Sequence, residues 1–343
     1  MTLKANYSAI IVGAGPIGLA CAISAKQRGI AALVIDAGAI AESIVRYPIG
    51  MTFFTTPERL EIGGHPLVCM GAKASREEAL KYYRGVARVE GLDLSTYTRL
   101  LSARSVDGQI ECELELRGAI QKVTTDRLVL ATGYFGQPNM LGVPGENLPH
   151  VSHYFDEPHL TFGQRVVVVG GKNSAIETAL LCFRAGAKVT LVHRGTTFKD
   201  SVKFWLRPDF DNRVAAGKIT ACLGCEIKSI QRETVTIQEQ SGAIQEIPAD
   251  RVYLLTGYHP DFELLRRIGI HLEGPELRPQ HDPMTLESNV PGVYLAGSVN
   301  SGTRISEVFI ENGRFDGEKI FGDYDSRQRA EQLYASSFRA TGE

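Results

Sequence analysis

Ala9-Ile-Ile-Val-Gly13-Ala-Gly15-Pro-Ile-Gly18 is the stretch of sequence that decides the fold. A short β-rich apolar run leads into a glycine turn and then into an expected helix, Pro16 to Arg28, which ends at Gly29. The first glycine permits a tight turn, the second lets backbone N–H groups approach a pyrophosphate, and the third lets helix and strand pack closely. The pattern is typical of a dinucleotide-binding βαβ unit.

An acidic residue follows at the position where such a unit binds ribose. A second strand is expected over Ala32 to Ile35 and is followed by Asp36, 18 residues after Gly18. A carboxylate there accepts hydrogen bonds from ribose hydroxyls and repels a 2′-phosphate. The first turn therefore favours FAD or NAD over NADP.

A second glycine-rich turn lies near the middle of the chain. Arg165 to Val169 predicts a strand, and Ser174 to Ala185 predicts the helix that follows it. Between them stands Gly170-Gly171-Lys172-Asn173-Ser174-Ala175, in which Lys172 replaces the usual middle glycine. Two such turns in one chain indicate that electrons pass between two bound dinucleotides.

Basic residues follow the second turn in place of an acid. The expected strand Lys188 to Val192 ends in His193-Arg194, with Lys199 and Lys203 shortly after. An arginine guanidinium binds a 2′-phosphate through two hydrogen bonds. We interpret this turn as an NADPH site, with an ordinary exposed basic turn as the alternative.

Three further apolar runs end in small residues. They are Arg127-Leu-Val-Leu-Ala-Thr132-Gly133, Val252-Tyr-Leu-Leu-Thr256-Gly257 and Gly292-Val-Tyr-Leu-Ala-Gly297-Ser298. With the two turns they resemble thioredoxin-reductase-like flavoproteins. That resemblance implies an α/β fold with two Rossmann-like dinucleotide-binding domains. The FAD domain would comprise residues 1–137 and 258–343, and the NADPH domain, residues 138–257, would be inserted into it after a proline-rich hinge.

Composition and charge fit an ordinary globular protein of two domains. The chain has 343 residues, 43% of them hydrophobic, and a net charge of −2, so no basic excess attracts nucleic acid. No apolar run approaches the roughly 18 residues of a membrane span, and no secretory leader is evident at the N-terminus. We therefore expect a cytoplasmic protein that binds neither membrane nor nucleic acid.

The six cysteines separate this chain from thioredoxin reductases themselves. Those enzymes carry a redox Cys-x-x-Cys just before the second turn, where this chain has Val151-Ser-His-Tyr-Phe-Asp-Glu-Pro-His. Cys222-Leu-Gly-Cys225 matches the spacing but lies in Lys218 to Ile230, which we read as a strand. A redox pair usually begins a helix, so buried structural thiols are favoured. The spacing of cysteines and histidines predicts no metal site.

Several local strings resemble the bacillithiol-disulfide-reductase family and span nearly the whole chain. They are Arg46-Tyr-Pro-Ile-Gly-Met-Thr-Phe-Phe-Thr-Thr-Pro-Glu-Arg-Leu-Glu-Ile-Gly63, Leu80-Lys-Tyr-Tyr-Arg84, Gly170-Gly-Lys-Asn-Ser-Ala175, Arg194-Gly, Trp205-Leu-Arg-Pro208 and Phe309-Ile-Glu-Asn-Gly313. The resemblance implies that NADPH and FAD reduce an oxidised low-molecular-weight thiol or a small redox protein. It also implies a homodimer.

The resemblance further implies the residues that contact each cofactor. Contacts to FAD are expected from Gly13, Gly15, Pro16, Ile17, Gly18, Asp36, Ser43, Thr52, Phe53, Thr132, Gly133, Gly297, Ser298 and Ile305, the last opening a helix-like stretch to Asn312. Core packing is the alternative role for Phe53. Contacts to NADPH are expected from Gly170, Gly171, Lys172, Asn173, Ser174, His193, Arg194, Lys199, Thr256 and Gly257.

One position departs from the family pattern. The family has a cysteine inside the first turn, close to the flavin, and this chain has Ile17. Isoleucine cannot form a mixed disulfide. Cys21, one helical turn further on, is the candidate substitute.

Three functions therefore remain open. The first is an NADPH-dependent FAD reductase of a small disulfide. The second is ferredoxin- or flavodoxin-NADP⁺ reductase, which has the same fold and needs no cysteine. The third is a non-catalytic flavin sensor of NADPH, motivated by Ile17. A flavin monooxygenase is disfavoured, because no Phe-x-Gly-x-x-x-His string precedes the second turn.

Overall fold

The computed structural model describes residues 3–198, 202–305 and 307–339. Their contacts divide the chain into two compact units. The first unit contains residues up to 45, residues 50–137 and residues from 258 onward. The second contains residues 46–49 and 138–257. Each unit has its own parallel sheet and its own apolar core.

The strands, in chain order, are β1 Asn6–Tyr7, β2 Ala9–Val12, β3 Ala32–Asp36, β4 Asp93–Thr96, β5 Thr98–Val106, β6 Gln109–Leu116, β7 Ala119–Thr125, β8 Leu128–Leu130, β9 Gln137–Pro138, β10 Val151–Ser152, β11 Arg165–Val169, β12 Lys188–His193, β13 Ile219–Leu223, β14 Cys225–Ile230, β15 Thr234–Glu239, β16 Ile244–Pro248, β17 Arg251–Leu254, β18 Tyr258–His259, β19 Leu272–Glu273, β20 Arg278–Pro279 and β21 Val293–Leu295. The helices are α1 Pro16–Gln27, α2 Glu42–Val45, α3 Pro57–Leu60, α4 Arg76–Val89, α5 Asn173–Arg184, α6 Arg207–Ala215, α7 Phe262–Ile268, α8 Ile310–Gly313, α9 Asp316–Phe321 and α10 Tyr324–Arg339. Pro158–Thr161 and Gly297–Ser301 form 3₁₀ helices. None of the helices in these described ranges is long and apolar enough to cross a membrane.

The first unit is built on a five-stranded parallel sheet in the order β21-β8-β2-β3-β4. All four residues of β2 are buried, as expected for a strand covered on both faces. The antiparallel strands β5 and β6 cover one face, and α1 and α9 cover the other. The strand order reverses between β2 and β8, so a crevice for a ligand is expected at the carboxyl ends of these two strands.

The second unit repeats this arrangement. Its five-stranded parallel sheet has the order β10-β17-β11-β12-β13. Helices α5 and α6 pack on one face, and the antiparallel strands β14, β15 and β16 pack on the other. Here the order reverses between β11 and β17, which places a second candidate crevice beside the second glycine turn.

Both βαβ units follow the sequence prediction closely. Helix α1 ends within one residue of its predicted end, with Arg28 as the C-cap residue and Gly29 at φ +70°. Helix α5 begins at Asn173, one residue before its predicted start. The apolar runs before each glycine turn form central strands, because their side chains are buried on both faces of the sheets.

Two sequence predictions of local structure are wrong. The single strand expected over Lys218 to Ile230 is two strands, because Gly224 at φ +67° turns the chain out of the parallel sheet and into the antiparallel one. The helix expected from Ile305 to Asn312 is only the four-residue α8. Just before the expected helix, the N–H of Thr303 donates to the carbonyl of Glu276, so the backbone there bonds to a distant segment and not to a helical turn.

Candidate functional site

The glycines of the first turn have separate structural roles. Gly13 has φ +115°, and a Cβ atom on it would lie 2.3 Å from the carbonyl oxygen of Ala131. A Cβ atom on Gly18 would lie 1.8 Å from the carbonyl oxygen of Gly13. A Cβ atom on Gly15 would meet no protein atom within 4 Å. Gly13 and Gly18 are thus required by packing, whereas Gly15 borders open space at the start of α1, where a pyrophosphate fits.

Asp36 lies at the carboxyl end of β3, against the first turn. One carboxylate oxygen accepts the N–H of Ala14 at 2.7 Å, and the other accepts the N–H of Gly38 at 2.8 Å. Ser43 is half-buried on α2. The start of this helix is held near the first turn, because the N–H of Ala41 donates to the carbonyl of Ala14. The carboxylate therefore stands at the edge of the turn, where two backbone N–H groups hold it.

Three predicted segments meet beside this turn. Thr132 and Gly133 follow β8, and a Cβ atom on Gly133 would lie 3.7 Å from the hydroxyl oxygen of Ser298. The N–H of Ala296 donates to the carbonyl of Leu130 at 2.9 Å, which holds the end of β21 against β8. The turn after β2, the turn after β8 and the 3₁₀ helix after β21 thus share one edge of the sheet.

Buried polar atoms in the 3₁₀ helix fit a polar ligand. Among the described residues, Asn300 Oδ1 and Ser301 Oγ are buried and have no hydrogen-bond partner. Buried polar atoms in folded proteins almost always have a partner, so such atoms need an explanation. A flavin dinucleotide, which carries hydroxyl and ring N–H donors, fits this edge. The sequence did not single out these two residues, because their burial depends on the tertiary fold.

Ile17 fills the space between two glycines from distant parts of the chain. A Cβ atom on Gly297 and one on Gly313 would each lie 2.6 Å from Ile17 Cδ1. The side chain at this position therefore packs directly on the 3₁₀ helix and on α8. Position 17 borders the backbone that is expected to face the flavin, although it offers no thiol.

Three other residues predicted to contact FAD lie in separate segments. Thr52 pairs with Ser75 in an isolated antiparallel bridge, and the N–H of Phe53 donates to the carbonyl of Ala74. Phe53 is only 8% exposed, which agrees with a packing role. Ile305 is half-buried in a turn rather than at the start of a helix.

The second turn is closed by an imidazole ring. Gly170 has φ +149°, and a Cβ atom on it would lie 2.6 Å from the carbonyl oxygen of Leu255. A Cβ atom on Gly171 would lie 2.2 Å from His193 Cε1. Lys172 is exposed and has φ −113°, so its extended backbone does not need the glycine usual at this position. Asn173 and Ser174 open α5, whose N-terminal N–H groups suit an anion.

The basic residues after β12 take different positions. The ring of His193 stacks on Phe198, with centroids 5.5 Å apart, and its atoms lie next to Gly171 of the turn. Arg194 is exposed and, within the described ranges, makes no ion pair. The backbone N–H of Lys203 donates to Asn173 Oδ1 at 2.8 Å. Lys199, also predicted to bind NADPH, lies outside the described residues.

Thr256 and Gly257 follow β17 and are bonded to Asn139. The Thr256 hydroxyl donates to the carbonyl of Asn139 at 2.6 Å, and the amide of Asn139 donates to the carbonyl of Thr256 at 3.2 Å. The N–H of Asn139 donates to the carbonyl of Gly257 at 2.9 Å. The hydroxyl proton of Thr256 is therefore used within the protein.

Cys21 is not accessible to a substrate. It is fully buried in the cluster between α1 and α9, where a Cβ atom on Gly317 would lie 2.8 Å from Cys21 Cα. Burial, with a smaller contribution from Asp316, raises the pKa of the Cys21 thiol well above its usual value. A protonated, enclosed thiol does not attack a disulfide.

The described residues also contain no cluster of three or more His, Cys, Asp or Glu that could hold a metal ion.

Two glycine turns at the switch points of two parallel sheets define an α/β protein that binds two dinucleotides. A family model described as pyridine nucleotide-disulphide oxidoreductase matches residues 10–297. The chain belongs to that family and is an oxidoreductase. Membership implies FAD and NAD(P)H as cofactors, as the sequence predicted.

Similar proteins are found over nearly the whole chain. Bacilliredoxin reductase Bdr of Bacillus subtilis (strain 168) is 39% identical over 320 residues, which cover 93% of this chain and 98% of that protein. The structure of bacillithiol disulfide reductase Bdr (YpdA) from Bacillus cereus has a TM-score of 0.89 at 36% identity, covering 96% and 99% of the two chains. That of T. acidophilum thioredoxin reductase has a TM-score of 0.72 at 20% identity, covering 98% and 100%. The predicted thioredoxin-reductase-like fold is confirmed.

Proposed function

We propose that this flavin-dependent disulfide reductase takes electrons from NADPH and passes them through FAD to an oxidised low-molecular-weight thiol. The observation that carries the proposal is the difference between the two glycine turns. The first has a carboxylate, Asp36, at the ribose position, whereas the second has the exposed guanidinium of Arg194. In strand register His193 stands where Asp36 stands in the first unit, and Arg194 is the next residue. A carboxylate in one βαβ unit and a guanidinium one position further on in the other suit two different dinucleotides.

The relatives support the choice of electron acceptor. The names of the two Bdr proteins state a bacilliredoxin or a bacillithiol disulfide as the acceptor. Since the chain is similar to both over more than nine-tenths of its length, we assign it an acceptor of the same kind, a disulfide of a small thiol. In keeping with that assignment, we expect a homodimer in the cytoplasm.

The residues of the first unit would hold and orient FAD. The open side of Gly15 and the N-terminus of α1 would accept the pyrophosphate, and Asp36 would accept hydrogen bonds from the adenosine ribose. The 3₁₀ helix Gly297–Ser301 would present its backbone and the buried oxygens of Asn300 and Ser301 to the flavin end. Bound FAD supplies the redox chemistry, accepting a hydride from a nicotinamide and reducing a disulfide.

The residues of the second unit would select NADPH over NADH. The N–H groups of Asn173 and Ser174 at the start of α5 would receive the pyrophosphate. Arg194 would bind the 2′-phosphate, and His193 would keep the turn in shape by packing between Gly171 and Phe198. We therefore give His193 a supporting role and Arg194 the contact to phosphate.

Electron transfer to ferredoxin is the competing function. Ile17 favours it, because the thiol that the family resemblance places there is missing and a ferredoxin reductase needs none. The two functions are separated by steady-state oxidation of NADPH with flavin-replete protein and one acceptor at a time. We expect turnover with the disulfide of bacillithiol and none above background with oxidised ferredoxin. Turnover with ferredoxin alone would overturn the proposal.

A further inference from the structure

The Cys222-Leu-Gly-Cys225 turn stands next to the proposed 2′-phosphate loop. Cys222 lies on β13, which pairs with β12 so that Val192 faces Cys222 and His193 faces Leu223. The N–H of Gly224 donates to the carbonyl of Gly195 at 2.9 Å. The backbone between the two cysteines is thus bonded to the residue that follows Arg194.

The turn brings both thiols to the same apolar cluster. In an extended strand, residues three apart point to opposite faces. Here Gly224, at φ +67°, bends the chain from one sheet into the next. Cys225 belongs to the apolar cluster that contains Val192 and Ile227, and Cys222 packs against the same cluster. Cys225 is 5% exposed and Cys222 is half-buried, so solvent reaches Cys222 more readily.

We propose that Cys222 and Cys225 are a reversible dithiol–disulfide pair that controls the affinity of the neighbouring loop for NADPH. The oxidant is a low-molecular-weight disulfide, the class of molecule that the protein reduces. The inference rests on the proposed function for the identity of the loop and of this oxidant. It does not require the pair to take part in turnover at the flavin.

The exchange proceeds in two balanced steps. Cys222 loses its proton to solvent, and the thiolate attacks one sulfur of the small disulfide, which forms a mixed disulfide and releases one thiolate. Cys225 in turn loses its proton to solvent, and its thiolate attacks the sulfur of Cys222, forms the internal disulfide and releases the second small thiolate. Each of the two released thiolates takes up a proton from solvent. Two protein thiols are oxidised, and one small disulfide is reduced to two thiols.

The environment of the thiols sets the rate of this exchange. Burial raises the pKa of Cys222, and the neighbouring Cys225 and Glu239 raise it further. Burial also raises the pKa of Cys225, again with Glu239. The thiolate fraction at neutral pH is therefore small, and the exchange becomes faster as the pH rises. Such a pair responds to a sustained excess of disulfide rather than to each turnover.

Closing the disulfide would move the loop. The bond requires the two Cα atoms to lie about 4.4–6.8 Å apart with a fixed dihedral angle about the sulfurs, so the Gly224 turn must adopt one tight shape. Gly195 follows through its bond from Gly224, and Arg194 shifts with it. The oxidised form therefore binds a 2′-phosphate more weakly, and a bound 2′-phosphate favours the reduced pair by the same factor.

The test treats the reduced holoenzyme with glutathione disulfide and follows free thiols, intact mass and the affinity for 2′,5′-ADP, a redox-inert probe of the loop. We expect the loss of two of the six thiols and of two hydrogens, with both cysteines in one disulfide-linked peptide. The affinity for 2′,5′-ADP should fall about fivefold or more. Cys225→Ser should stop the reaction at a glutathione adduct on Cys222, and Cys69→Ser should behave as wild type.

Each outcome decides one point. Retention of all six thiols, or an adduct elsewhere without the internal disulfide, would overturn the proposed pair. Formation of the disulfide with unchanged affinity for 2′,5′-ADP would overturn its control of the loop. Failure of 2′,5′-ADP to bind even the reduced protein would count against the proposed NADPH site itself, and thiol counting and mass would still report on the pair.

Discussion

The backbone N–H of Gly297 donates to the buried carboxylate of Asp316 at 2.6 Å. This bond fixes the first residue of the 3₁₀ helix that is proposed to face the flavin. Asp316 is 3% exposed, and burial raises its pKa to about 7, although the bond from Gly297 and the charge of Lys319 act in the opposite direction. The carboxyl group of Asp316 therefore changes its charge near neutral pH, and it does so where it accepts the hydrogen bond that positions Gly297.

The stability of the protein should therefore depend on pH through Asp316. An unfolded aspartate has a pKa of about 3.9, so the folded state binds more protons than the unfolded chain between about pH 4 and pH 7. The contribution of Asp316 to the free energy of unfolding decreases as the pH rises through that window. Asp316→Asn keeps an oxygen acceptor for Gly297 and removes this dependence.

The measurement is urea unfolding of both proteins at intervals from about pH 5 to pH 8, a range that includes the pKa of Asp316 in the folded state. The stability of wild type relative to Asp316→Asn should fall by up to about 1.4 kcal/mol per pH unit and level off above neutrality. Asp107→Asn, in an exposed turn, is the matched control and should run parallel to wild type. Parallel curves for Asp316→Asn would contradict the account of this carboxyl group.

Gly15 and Gly18 should fail in different ways when changed to alanine. Gly15 has φ −74° and an open side, so Gly15→Ala should fold with an unchanged melting temperature as apoprotein. Its methyl group would occupy the pyrophosphate space, so the dissociation constant for FAD should rise about tenfold or more, or roughly 1.4 kcal/mol. Gly18→Ala should instead melt at a lower temperature, since its Cβ atom meets Gly13. Full flavin content in Gly15→Ala would refute the assignment of the pyrophosphate site to Gly15 and the start of α1.

Arg194→Ala should weaken the use of NADPH selectively. Loss of a guanidinium bonded to a 2′-phosphate removes about 1.4 kcal/mol or more, so KM for NADPH should rise about tenfold. KM for NADH should stay unchanged, because NADH lacks the phosphate. Arg232→Ala, an exposed arginine of the same unit, is the control and should affect neither substrate. An equal rise of KM for NADPH and NADH in Arg194→Ala would show that Arg194 does not bind the 2′-phosphate.

Cys21→Ala should leave disulfide reduction within about twofold of wild type, because the thiol is enclosed between α1 and α9. Its effect should be a loss of stability of about 1 kcal/mol, as for other substitutions that leave a small cavity. Cys112→Ala, at another buried thiol, gives the matched measurement of melting temperature and turnover. A loss of turnover above about tenfold with normal flavin content would restore Cys21 as a redox group.

Local pattern predicted the fold well because both βαβ units are specified by neighbouring residues. The turn at Gly13 and the end of α1 at Gly29 depend on glycine conformation and on apolar runs that any window of the sequence displays. The strand over Lys218 to Ile230 failed for the opposite reason. Its residues fit one strand, but the left-handed Gly224 sends the chain into a second sheet, which only the tertiary fold decides.

Residues of the candidate site could be predicted from the sequence only where a βαβ unit fixes their position. Asp36 and Arg194 could be named because Asp36 ends the second strand of one βαβ unit and Arg194 directly follows the second strand of the other. Asp316 could not, because it meets Gly297 only when α9 packs beside the sheet. His193 was predicted as a cation for phosphate, whereas its ring is stacked on Phe198. A side chain's identity does not reveal which of its neighbours it will contact.

The most direct test of the central claim follows the flavin absorption band of the purified protein without oxygen. One equivalent of NADPH should bleach the band, and subsequent addition of the disulfide of a low-molecular-weight thiol should restore it with release of two thiols per disulfide. A colourless protein that takes up no FAD, or a flavin that NADPH does not reduce, would contradict the account.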